Sequence, residues 1–222
     1  HDNIAIGNFA LEDNTTGGNN IAIGSGSLTN ATNNIGNVAI GFEALKTSAN
    51  DGDKNVAIGL GSMKTGDVSG DSNIAVGELS LEDLTTGTDN IAVGSSAGLN
   101  LTTAANTIAI GHDSMGLGVV VGNNNIAVGQ LSGHDLTEGA DNIFVGTKAG
   151  GNATTNTFNI AVGHDAFLGS INDGHKNIAV GFESMATGDV SGTDNIAVGS
   201  NTLEALTTGG SNIAVGSGSM GI

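Results

Sequence analysis

The chain has 222 residues, of which 38 are Gly; it has no Pro, Cys, Trp or Tyr, and only six Phe. Five Lys, with no Arg, stand against 22 Asp and Glu, for a formal net charge of −17. This excludes disulfides, thiolate chemistry and Cys-based zinc sites, disfavours nucleic acid and anionic membranes as partners, and leaves too little large apolar mass for a thick globular core; no apolar run approaches the ~20 residues of a helical membrane span.

What remains is a repeat. The first coil reads Asn3-Ile4-Ala5-Ile6-Gly7, then Ala10-Leu11, then the polar loop Thr15-Thr16-Gly17-Gly18. The heading returns at Asn20, Asn37, Asn55, Asn73, Asn90, Thr107, Asn125, Asn142, Asn159, Asn177, Asn195 and Asn212, always 17 or 18 residues on. Ile and Val are strand formers, and the Gly at the fifth position permits backbone angles that other residues resist. Pairs such as Ala44-Leu45, Ser62-Met63 and Ser184-Met185 are expected as a second short strand, and loops such as Thr207-Thr208-Gly209-Gly210 return the chain. Helix is disfavoured, because no apolar stretch keeps a 3.6-residue period. The expected fold is all-β: a parallel β-solenoid, or β-roll, of about 12.5 coils spanning 1–222 as one repeat domain. With coils ~4.8 Å apart it would make a rod on the order of 60 Å long. The chain opens inside a repeat and is expected to be a segment of a longer fibre. The recurring Asn is open to two readings, a hydrogen-bonded amide ladder or a simple turn residue.

A longer period lies above the coil. Met63-Lys64-Thr65-Gly66-Asp67-Val68-Ser69-Gly70 reappears 122 residues later as Met185-Ala186-Thr187-Gly188-Asp189-Val190-Ser191-Gly192. That offset spans seven coils and points to duplication of a seven-coil block.

Alternate residues of a strand face opposite sides. Ile4 and Ile6 share a face, expected to pack within the coil, so that Ile91 and Val93 would be core. The other face is as uniform: Ala5, Ala22, Ala39, Ala57, Ala75, Ala92, Ala109, Ala127, Phe144, Ala161, Ala179, Ala197 and Ala214. A solvated face should vary, so this one is expected to be the interface of a parallel homotrimer.

Asn3-Ile4-Ala5-Ile6-Gly7 with Ala10-Leu11 and Thr15-Thr16-Gly17, and Asn195-Ile196-Ala197-Val198-Gly199 with Leu203 and Thr207-Thr208-Gly209, resemble the repeats of trimeric autotransporter adhesin heads, the YadA-like left-handed parallel β-roll. They resemble still more closely the repeats of phage tail-fibre proteins. The resemblance covers the whole chain. It implies left-handed coils, a trimer, and attachment on a virion tail or an extracellular bacterial surface, with a host glycan or protein as partner through a tip outside this segment. The adhesin heads have shorter repeats, so their loop geometry does not carry over.

No cofactor is expected. His112-Asp113 and His164-Asp165 follow the strand-ending Gly, where three chains could bring imidazoles to one metal ion. Acidic loops at Asp51-Gly52-Asp53, Asp67 to Asp71 and Asp189 to Asp194 offer oxygen ligands suited to calcium, without an EF-hand pattern. Both are read as solvated turns. Glu12-Asp13 and Glu82-Asp83 raise the question of a glycosidase, but without Trp or Tyr no sugar groove is expected, and the chain is not expected to be an enzyme. The Thr-Thr pairs are too irregular for an ice-binding array. The leading expectation is the shaft or head of a trimeric attachment fibre; the alternatives are a purely structural extracellular filament and a depolymerase tailspike.

Overall fold

The computed structural model describes residues 2–47, 52–169, 174–188 and 190–220. They fall into two compact units, His1–Thr107 and Ile108–Ile222. In the first, six three-residue strands follow one another: β1 (Ile4–Ile6), β2 (Ile21–Ile23), β3 (Val38–Ile40), β4 (Val56–Ile58), β5 (Ile74–Val76) and β6 (Ile91–Val93). Each pairs in parallel with its successor, and the headings stay in register, with Ala5 beside Ala22 and Ala75 beside Ala92. The second unit repeats this with β7 (Ile108–Ile110), β8 (Ile126–Val128), β9 (Ile143–Val145), β10 (Ile160–Val162), β11 (Ile178–Val180), β12 (Ile196–Val198) and β13 (Ile213–Val215). Both units are parallel β-solenoids, and the described residues contain no helix.

One expectation about the coil is corrected. The segment after the heading Gly is a stack of turns, not a second strand. Its residues alternate into the left-handed region, at Glu43 (φ 54°) and Leu45 (φ 48°), and again at Asp113 (φ 52°) and Met115 (φ 48°). The backbone still bonds to both neighbouring coils: Glu43 N–H donates back to Ser25 C=O at 2.9 Å, and Leu45 N–H forward to Ser62 C=O at 2.9 Å. The small residue between them is often Ser, whose hydroxyl donates to the heading Gly carbonyl, as Ser27 does to Gly24 at 2.9 Å. The heading Gly has a steric cause. At Gly7 φ is +132°, and a Cβ there would lie 2.6 Å from the Gly24 carbonyl oxygen of the next coil.

The Asn column is a ladder with two functions. Each side-chain oxygen accepts from the backbone N–H of the next heading, as in Asn20 N–H to Asn3 Oδ1 at 2.9 Å and Asn159 N–H to Asn142 Oδ1 at 3.0 Å. The amide nitrogens from Asn3 to Asn195 donate across their own coils, as from Asn20 to Asn34 C=O at 2.7 Å and from Asn142 to Asn156 C=O at 2.7 Å. Only a side chain with both an acceptor and a donor at that reach does both, which decides against a mere turn residue. Most of these Asn are fully buried.

The interior is thin. It holds the third residue of the heading, the Leu or Met four residues after the Gly, and one loop residue such as Val68, Leu84 or Leu136. At Phe144 the pattern changes and compensates itself. The two positions that would carry Leu or Met beside it are Gly133 and Gly150, and a Cβ at either would touch the Phe144 ring, at 3.0 and 2.6 Å.

Candidate functional site

The strand faces are reversed relative to the expectation from sequence. Ala22, Ala39, Ala57, Ala75, Ala92, Ala109, Ala127, Phe144, Ala161, Ala179, Ala197 and Ala214 are buried inside their own coils. Ala5, in register with Ala22, is uncovered in the first coil. The twelve buried side chains cannot form an interface between chains. They are small because the Leu or Met of the turn segment occupies the rest of a narrow interior. The Ile and Val on either side point outward. Ile91 is half-buried and Val93 exposed, so neither is core. Within each unit the second and fourth heading residues make two parallel rows of β-branched side chains, from Ile4 and Ile6 to Ile91 and Val93, and from Ile108 and Ile110 to Ile213 and Val215. Ile74, at 37 % exposure, is typical of the more open interior positions.

The histidines sit apart from this face. His112 Nδ1 lies 3.0 Å from Asp113 Oδ2, and His164 Nδ1 lies 3.1 Å from Asp165 Oδ2. The His164 ring also stacks on Phe182, with centroids 5.5 Å apart and planes inclined by 21°. The acidic loops serve the backbone. Ile35 N–H donates to Asp53 Oδ1 at 2.7 Å, and Asp53 N–H donates to Asp71 Oδ1 at 2.8 Å. His175 takes the same position in another coil, accepting from Thr157 N–H at 3.0 Å. Asp67 and Asp194 are exposed. Among the described residues no three His, Asp or Glu side chains converge on a point that could hold a metal ion. Asp51 and Asp189 lie outside the described residues. The loop threonines are engaged rather than displayed: Thr85 and Thr137 hydroxyls donate to the Thr102 and Thr154 carbonyls of the next coil, at 2.9 and 3.1 Å.

One charged cluster is not legible in the sequence. Glu43 Oε1 bonds Lys46 at 2.6 Å, and its Oε2 pairs with Lys64 of the next coil at 2.8 Å. The Lys46 and Lys64 hydrogen bonds hold its carboxyl below the usual range, and the Glu43 bond raises Lys64. Glu82 is pushed the other way, first by burial and then by the neighbouring Asp83. The signal for the Lys64 contact lies in coil register, because Glu43 and Lys64 are 21 residues apart.

No protein-family model matches this chain, and no curated protein matches it.

Proposed function

We propose that the chain is the shaft or head of a trimeric attachment fibre, on a virion tail or an extracellular bacterial surface, in which three parallel copies pack through their outward Ile and Val rows. The observation that carries this reading is the in-register double row of half-exposed β-branched side chains along each unit. Contiguous apolar surface of this kind marks an association site. Each Ile or Val that passes from half-exposed to covered adds to the hydrophobic gain, so the drive grows with the number of coils. Repeats resembling those of adhesin heads and tail fibres support the same reading. The role is structural and adhesive, with no catalytic residue assigned.

Light scattering on the purified 222-residue chain tests this. The expected mass is three times 21.7 kDa. A monodisperse particle of 21.7 kDa that keeps its β-type circular dichroism overturns the trimer.

A further inference from the structure

The 122-residue duplication has a counterpart on the surface. A groove of about 260 Å³ in the second unit is bordered by Leu131, His134, Lys148, Gly151, Asn152 and Leu168. Subtracting 122 from each number gives Phe9, Glu12, Gly26, Thr29, Asn30 and Lys46, and all of these but Asn30 border a groove of about 290 Å³ in the first unit. Two depressions at equivalent places in the duplicated blocks are a property of the block, not an accident of one loop. The side chains that fill the two copies have diverged in kind.

The first-unit groove carries aromatic side chains in a chain that has six. Phe144 and Phe167 are spent in the core. Phe9 and Phe42 instead border this groove, 55 % and 53 % exposed. Glu43, next to Phe42 in the chain, borders it too, clamped by Lys46 on one oxygen and Lys64 on the other. A carboxylate held in this way is ionised and fixed in direction, and each oxygen keeps a lone pair for a further donor. Lys46 and Glu12 also border the groove. An apolar wall with a few placed polar groups is the usual make-up of a small-ligand site, and this volume lies at the small end of such sites.

We infer that this groove is a binding subsite for one ring of a neutral hexose oligosaccharide. A hexose offers an apolar C–H face and a rim of vicinal hydroxyls. The face stacks on Phe9 or Phe42, the hydroxyls donate to Glu43 and Glu12, and the Lys46 ammonium donates to a sugar oxygen. The ligand is neutral because a chain of net charge −17 repels an acidic one. The groove is built from turn-segment residues of one chain, so it leaves the outward Ile and Val rows free. It extends the attachment reading by placing a glycan contact on the repeat region itself, and it rests on that reading only for its biological meaning.

The test is a printed array of neutral hexose oligosaccharides probed with the 222-residue chain, followed by calorimetric titration of the bound sugar. Saturable binding is expected. Phe42→Ala and Glu43→Gln should each weaken it at least tenfold with unchanged circular dichroism, whereas His134→Ala, in the equivalent groove, should change it less than twofold. Glu43→Gln keeps the shape of the side chain and serves if Phe42→Ala disturbs the coil. Three results overturn the assignment: no neutral oligosaccharide bound, affinity within twofold of the parent in both groove variants, or binding lost only in His134→Ala. Light scattering on the same samples separates the two readings, since a monomer that binds sugar overturns the trimer and leaves the subsite standing.

Discussion

Two residue-scale devices carry much of the fold's specificity. The first is the Asn ladder, in which one side chain joins successive coils through its oxygen and closes its own coil through its nitrogen. Asn142→Asp keeps the acceptor for Asn159 N–H and removes the donor to Asn156 C=O. Urea denaturation should show a loss of about 1–3 kcal/mol at neutral pH. The deficit should shrink in acid, where a protonated Asp can donate. The second device is the exchange at Phe144. Phe144→Ala should cost about 3–5 kcal/mol through the cavity it leaves. Adding Gly133→Leu and Gly150→Leu restores the pattern of the other coils and should recover at least half of that, because Leu11 and Leu28 already occupy the same left-handed conformation in coils headed by Ala. Thermal melts of the single and triple variants check this. Sequence alone shows Phe144 as an exception in one column and the glycines as exceptions in another. Only the stacking of coils shows that they are one substitution.

At the scale of the element, the heading strand is legible in position and pairing but not in polarity. Period-two alternation says which residues share a face; it does not say which face is inside. Uniformity of the Ala column suggests a close contact between chains, and it is a close contact within one. The deciding quantity is interior width, which depends on the Leu and Met of the turn segment. That segment also departs from expectation, because Ala-Leu and Ser-Met pairs look like strand. A signal exists: Gly26 and Gly61 stand where other coils have Phe9 or Glu43, and Gly98, Gly133 and Gly150 stand where others have Leu or Met. Gly exchanging with a bulky residue at a fixed place marks a left-handed position. The reversed polarity yields a paired prediction. Ala109→Glu forces a carboxylate into the coil interior and should unfold it locally, at a cost of several kcal/mol. Ile126→Asp, on the outward row, should leave the circular dichroism intact and reduce the light-scattering mass to that of a single chain.

For the whole molecule, charge dominates. At −17 the chain repels itself at neutral pH, and acidification relieves that repulsion. Glu82 acts in the same direction. Its raised folded pKa contributes stability that is present at low pH and lost as pH rises through that value. Glu43 acts oppositely: its lowered pKa contributes stability above the ordinary carboxylate range, lost as pH falls through the folded value. The melting temperature should therefore rise modestly from pH 7 towards pH 5 and fall below pH 4. A profile falling throughout that range would show that the repulsion is not felt. Chelator at neutral pH should shift the melting temperature by no more than about a degree, since the acidic loops already spend oxygens on backbone N–H groups. The duplication is legible at this scale from residue numbers alone. Its surface consequence is not, because the groove-lining residues differ in identity between the two blocks.

The in-register ladder also governs how either unit responds to force. Its strands lie across the stacking direction, so tension along that direction loads one coil's hydrogen bonds at a time, as in opening a zipper. Rupture then needs only the modest force that frees a single three-residue strand and its Asn rung, and it repeats coil by coil. Each step releases 17 or 18 residues, about 60 Å of extended chain. A pulling trace should be a regular staircase of small, nearly equal increments, with a taller step where Phe144 bridges adjacent coils. Such a solenoid dissipates a sudden load by lengthening stepwise and rewinds from the coils still in place, a shock-absorbing behaviour that follows from one amide side chain recurring at every heading but Thr107.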